Sequence, residues 1–189
     1  TCQAMLATRG KPEPEAISAA FAECHRGRRV TRMGASTLKA LTELVHGGHW
    51  ALVGRSGEMA AGNGAAMRIA PIAFSIDART PDGARAIRDI VRITHRNDEA
   101  YAGALAIAIA VRAAWLGEWH EGDTLTGLVA GAIPRCAVRD RLESLAAEAQ
   151  LPPVEVARRY GSSAHVVESV PLALHAAQFA RAAPLHQSL

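Results

Sequence analysis

The sequence predicts an all-α protein, a compact multi-helix orthogonal bundle. Three observations carry that expectation. Apolar positions recur at helical spacing, and no segment alternates apolar and polar residues with β-branched side chains. Hydrophobic residues make up 49% of the chain but aromatic residues only 4%, so Ala, Leu, Val and Ile must fill the core, and these suit closely packed helices better than a sheet sandwich. The 189 residues hold no internal repeat, low-complexity tract or linker, which reads as one domain over residues 1–189 with a sizeable core.

Cys2–Thr8 reads as the tail of a helix begun upstream. Pro14–Cys24 is a second helix, with Pro in its first turn and Gly27 past its end. Ser36 or Thr37 caps a third, which sets Leu38, Leu41, Leu44 and Val45 on one face and stops at Gly47-Gly48. His49–Ala61 is a loop. An apolar run of helical character follows Gly62-Asn63-Gly64, and Pro71 is expected to kink or end it. Thr80 caps a helix with Pro81 at its first position, running to about Thr94. Asn97 or Asp98 caps Glu99–Leu116, which is apolar on all sides and is therefore the expected buried central helix. Asp123 or Thr124 starts a helix to about Ile133. Arg135–Gln150 is amphipathic up to the break at Pro152-Pro153, and Pro153–Tyr160 is short. Ser163 caps Ala164–Ala182, with Pro171 inside.

Net charge is +3 and the isoelectric point about 9.1. Nearly all the positive charge is Arg. The cluster Arg26-Gly27-Arg28-Arg29-Val30-Thr31-Arg32 has no interleaved aromatic residues for base stacking, so it reads as a solvated loop and nucleic acid is not an expected partner. Cys2, Cys24 and Cys136 are far apart and lack metal-type spacing, as thiols of a reducing cytosol do. No stretch is read as a membrane span, because Arg112 breaks the most apolar one, Ala102–Leu116. No secretory signal is visible, and the expected location is cytoplasmic. The chain opens at Thr1 rather than a Met, so residues upstream of it are expected. The Ala- and Arg-rich, Lys-poor usage points to a bacterium with a GC-rich genome.

Chemistry concentrates in Gly62-Asn63-Gly64-Ala65-Ala66-Met67-Arg68. Gly and Asn tolerate positive φ, so a tight turn opening a helix is expected. Its N–H groups would point forward without partners and, with the helix dipole, form a site for an anion such as a phosphate. An ordinary loop explains the same residues. Arg68 reads either as a phosphate clamp or as a buried ion-pair partner. Tyr160-Gly161-Ser162-Ser163-Ala164-His165 repeats the arrangement, with hydroxyls and N–H groups for phosphate or ribose oxygens, or simply a Ser cap. His95 lies directly before a cap, where a lone His is ordinarily a surface or satisfied core residue.

Gly-Asn-Gly-Ala-Ala-Met-Arg-Ile-Ala-Pro at 62–71, Thr94-His95-Arg96-Asn97-Asp98-Glu99-Ala100 and Ser162-Ser163-Ala164-His165-Val166-Val167-Glu168-Ser169 resemble, in this order, motifs of the ADP-ribosylglycohydrolase family. The resemblance covers essentially the whole chain. It implies that family's helical fold, and ADP-ribose or an ADP-ribosylated protein as partner. It implies that Gly62, Asn63, Gly64 and Met67 shape a pyrophosphate and ribose pocket. His95 would support catalysis through a hydrogen bond to a ribose hydroxyl or to the water network. Ser162, Ser163 and His165 would meet the adenosine side; relatives often place a Tyr at the position of His165, its ring against the adenine. They also often carry a Ser shortly before the turn, where this chain has Met59-Ala60-Ala61, so phosphate affinity should rest more on backbone donors.

The resemblance further implies a Mg²⁺-dependent hydrolase. Relatives hold two Mg²⁺ ions through a Thr-Asp-Asp stretch near the N-terminus and an Asp-x-Asp-Thr stretch near the C-terminus, which grip the ribose hydroxyls and position a water. No metal ligand is expected within this chain. Thr1-Cys2-Gln3-Ala4-Met5-Leu6 resembles the sequence just after the two aspartates, and Leu189 falls where relatives approach the second motif. Gly122-Asp123-Thr124-Leu125-Thr126 is not that motif, because Leu125 replaces the second Asp and the segment precedes Ser162. The expectation is therefore the central part of such a hydrolase, incomplete at both ends and inactive alone. The alternative is a catalytically inactive binder of ADP-ribose or a nucleotide, or a structural helical protein.

Overall fold

The computed structural model describes residues 1–181. Its helices are α1 (Cys2–Ala7), α2 (Pro14–Arg26), α3 (Ala35–Val45), α4 (Pro81–Arg92), α5 (Asp98–Leu116), α6 (Leu125–Ala130), α7 (Ala137–Ala147), α8 (Pro153–Tyr160) and α9 (Val166–Ala180). Between α3 and α4 lie three 3₁₀ turns, Glu58–Ala60, Ala66–Arg68 and Ala70–Phe74. The two-residue strands β1 (Arg55–Ser56) and β2 (His95–Arg96) pair in parallel. The fold is all-α, as the periodicity predicts.

Capping fixes several starts. Thr80 Oγ1 accepts from the Gly83 amide at 3.1 Å with Pro81 at the first position, and the Asn97 side chain accepts from the Ala100 amide at 3.0 Å. At α6 the cap is Thr124, whose Oγ1 accepts from the Gly127 amide, and not Asp123. The α7 start is held from outside its own segment: the Glu99 carboxylate, on α5, accepts from the Ala137 and Val138 amides at 2.8 and 2.9 Å. That tertiary cap is why α7 begins later than its amphipathic pattern. Two other starts differ from expectation. α3 begins at Ala35, because extended Gly34 already supplies the first carbonyl, to Leu38. α9 begins at Val166 after His165, so Ser163 is not its cap. The expected end at Ala182 lies outside the described residues.

α5 is the central helix. α4, α9, α6, α7 and the two later 3₁₀ turns pack around it, burying Tyr101, Leu105, Ile109 and most of its alanines. Each such Leu or Ile contributes roughly 1.5–3 kcal/mol by leaving water. Contrary to expectation, α5 is long and apolar enough to cross a membrane, with a window of mean hydropathy 1.4. Its apolarity has a local cause, since 61% of that window is buried against the other elements.

Candidate functional site

Gly62-Asn63-Gly64 is stitched to the Ser162–Ser169 stretch. The Asn63 amide donates to the Ala164 carbonyl and the Val166 amide to the Ala61 carbonyl, both at 2.9 Å, and Gly62 bridges His165 in antiparallel register. Asn63 Nδ2 donates to Ser169 Oγ at 3.1 Å, and Ser169 Oγ donates to the His165 carbonyl at 3.0 Å. Two segments a hundred residues apart thus form one wall.

The turn does not open an α-helix. The Arg68, Ile69 and Ile72 amides bond three residues back, as in 3₁₀ structure. Pro71 has no N–H to continue an α-helical ladder and disfavours α geometry at Ala70. Nor do Gly62 and Gly64 take positive φ. The turn therefore presents no α-helix dipole to an anion, and the Asn63 amide is already taken by the Ala164 carbonyl. Among the described residues, the Gly64 and Ala65 amides remain without a hydrogen-bond acceptor.

β2 brings His95 beneath this turn. The residue is 3% exposed, with Nδ1 2.7 Å from Thr94 Oγ1. Burial first, and the nearby Arg68 charge second, pull its pKa down to about 4, so the ring is neutral at pH 7. Arg68 does not line the cleft described below and makes no ion pair among the described residues. Its guanidinium donates to the Gly64 carbonyl at 2.7 Å, the Ile90 carbonyl at 3.3 Å and Thr94 Oγ1 at 2.6 Å. Its Nε is sealed from solvent without a partner among the described residues, and burial lowers its pKa to about 10.

These groups border a cleft of about 840 Å³. Gly62, Asn63, Gly64, Met67, His95, Ser162 and Ser163 all line it. His165 does not; it is exposed and joins the wall through its backbone. Ser163 is partly committed, its amide donating to Glu168 Oε2 at 2.8 Å and its Oγ accepting from the His165 amide at 3.1 Å. The opposite wall is Val30–Thr37 with Arg55 and Met59. Sequence reasoning missed this wall. The arginine cluster is exposed, as a solvated loop would be, yet its end, Arg32, borders the cleft. Arg55 is aimed there by the β1–β2 pairing, and two-residue strands leave no alternation to read.

Arg32 and Arg55 are the charged lining residues, and neither makes an ion pair among the described residues. Among the described residues no carboxylate lines the cleft, and there is no cluster of three His, Cys, Asp or Glu side chains. The residues present therefore do not fit a divalent metal, which needs oxygen ligands with negative charge. They fit an anionic ligand of mixed polarity.

An uncharacterized protein of Archaeoglobus fulgidus is 36% identical over 80 residues, a match covering 42% of this chain and 25% of that relative. The chain thus matches about a quarter of that relative's length. The model of the ADP-ribosylglycohydrolase family matches residues 1–186. With the three motif stretches meeting on one cleft, the chain belongs to the ADP-ribosylglycohydrolase family.

Proposed function

We propose that the cleft holds the ADP-ribose part of a substrate, within a Mg²⁺-dependent hydrolysis of the glycosidic bond joining ADP-ribose to a protein side chain or small acceptor. One observation carries the reading: Gly62, Asn63, Gly64 and Met67 from the first motif stretch, His95 from the second, and Ser162, Ser163, Ala164 and Ser169 from the third meet on a single cleft whose charges are Arg32 and Arg55. A diphosphate suits the two arginines and the Gly64 amide, which is without an acceptor among the described residues. Ser162 offers a hydroxyl to the sugar or phosphate oxygens, and Met59 and Met67, 74% and 78% exposed, offer polarizable apolar surface at the rim. His95 faces the ribose as a neutral ring. Two Mg²⁺ ions are proposed for the reaction, held by carboxylates that this cleft does not supply. The residues here bind and orient.

A cleft lined by no carboxylate among the described residues suits a second reading, an ADP-ribose binder without hydrolysis. Calorimetric titration of ADP-ribose into the 189-residue protein tests both. Saturable binding without Mg²⁺, weakened about tenfold by Arg55→Ala, is the expected result; no heat with ADP-ribose or ADP sinks both readings. Incubation with an ADP-ribosylated protein and Mg²⁺ then separates them, since only the hydrolase releases ADP-ribose.

A further inference from the structure

The two ring nitrogens of His95 meet different surroundings. Nδ1 lies 2.7 Å from Thr94 Oγ1, and that oxygen lies 2.6 Å from Arg68 Nη2. Thr94 is fully buried and His95 nearly so. The direction of each bond follows from what the groups can do. A guanidinium only donates, so Thr94 Oγ1 accepts from Arg68. The Thr94 hydroxyl hydrogen then has an acceptor in Nδ1. Were Nδ1 protonated instead, Oγ1 would receive two donors and its own hydrogen would be stranded in a dry site, which buried polar groups avoid. With Nδ1 accepting, the proton of the neutral ring sits on Nε2.

Nε2 is the nitrogen beside the turn: a Cβ on Gly62 would stand 3.4 Å from it. It has no hydrogen-bond partner among the described residues and is not one of the sealed, unpartnered atoms. Arg68 is itself held by the Gly64 and Ile90 carbonyls, so the relay is fixed at its far end.

We propose that Arg68 and Thr94 are positioning residues that lock His95 as the Nε2–H tautomer, so that the cleft presents a neutral hydrogen-bond donor to a ligand oxygen and neither a base nor a cation. Calling that oxygen a ribose oxygen rests on the ADP-ribose reading; the tautomer is a property of the free protein. A donor at this place holds a hydroxyl or ring oxygen through its lone pair and takes no proton from it.

Long-range ¹H–¹⁵N correlation spectra of the ¹⁵N-labelled protein at pH 7 read the tautomer directly, with His95→Gln assigning the ring. The expected pattern is an unprotonated Nδ1 and a protonated Nε2. Thr94→Val keeps the shape and removes the hydroxyl. It should move the ring toward Nδ1–H or a mixture and weaken ADP-ribose binding at least tenfold, and Thr94→Ser should restore both. A wild-type ring protonated at Nδ1 or at both nitrogens overturns the proposal, as does an unchanged tautomer in Thr94→Val. If Thr94→Val does not fold, the wild-type spectrum and Thr94→Ser still decide. An Nε2–H ring in a protein that ignores ADP-ribose leaves the relay standing and removes the functional reading instead.

Discussion

Gly64 lies against the imidazole of His95 so closely that a Cβ built on it would stand 3.0 Å from Cε1, and 3.2 Å from Thr37 Oγ1. The glycine is needed for space, since its φ is ordinary. The ring cannot easily retreat, because Thr94 holds Nδ1 from behind. Gly64→Ala should therefore cost about 1–3 kcal/mol by overpacking and weaken ADP-ribose binding about tenfold. Gly62→Ala should cost less, its nearest ring atom being 3.4 Å away. Thermal melts and calorimetry of both variants check this. Equal losses would mean that crowding of the ring is not the cause.

How much of this was legible in the sequence depends on the range of the interaction. Thr80-Pro81 and Asn97 announce their helices because a cap is a contact within three residues. Burial of α5 is legible because its composition has no polar face. The α7 start is not, because its cap, Glu99, comes from another helix. The run after Gly64 has helical spacing, but Pro71 and the pull of Arg68 on the Gly64 carbonyl leave it as 3₁₀ turns. At the site, the residues marked by the Gly-Asn-Gly, Thr-His and Ser-Ser stretches border the cleft, apart from the His165 ring. Arg32 and Arg55 carry no local pattern; only the folded chain brings them there.

His95 makes stability depend on pH. Above its ordinary 6.5 the ring is neutral folded and unfolded, and contributes nothing. Between 6.5 and about 4 the unfolded chain takes up a proton that the folded ring refuses. Stability therefore falls as pH drops through that window, by up to roughly 3 kcal/mol at about 1.4 kcal/mol per pH unit. Denaturant midpoints at pH 7.5, 6 and 5 should decline in the wild type and decline less in His95→Gln. Parallel declines would place the responsible titration elsewhere.

Asn63 ties the turn to α9 through Nδ2 and Ser169 Oγ at 3.1 Å. Asn63→Ala should cost about 1 kcal/mol, the net worth of one part-buried hydrogen bond. Ser169→Ala breaks the same bond from the other side. A double-mutant cycle isolates the pair, and a coupling of about 0.5–1 kcal/mol is expected. Additive losses would show that the two side chains act independently.

The crossing of α5 and α9 governs the cleft from a distance. A Cβ on Gly103 would overlap Val166 Cγ2 and stand 3.4 Å from Val170 Cγ2. Val166 cannot turn aside easily, since a β-branched side chain in a helix has one strongly preferred rotamer. Its amide is also bonded to the Ala61 carbonyl, one residue before the turn. Gly103→Ala must therefore push α9 outward, stretching the seam that joins residues 61–63 to 164–166. A loss of about 2–3 kcal/mol is expected, or roughly 4–12 °C in Tm, together with weaker ADP-ribose binding. Adding Val166→Ala should give the new methyl room and recover part of both. If the double variant is no more stable than Gly103→Ala alone, the helix crossing is not what that glycine protects.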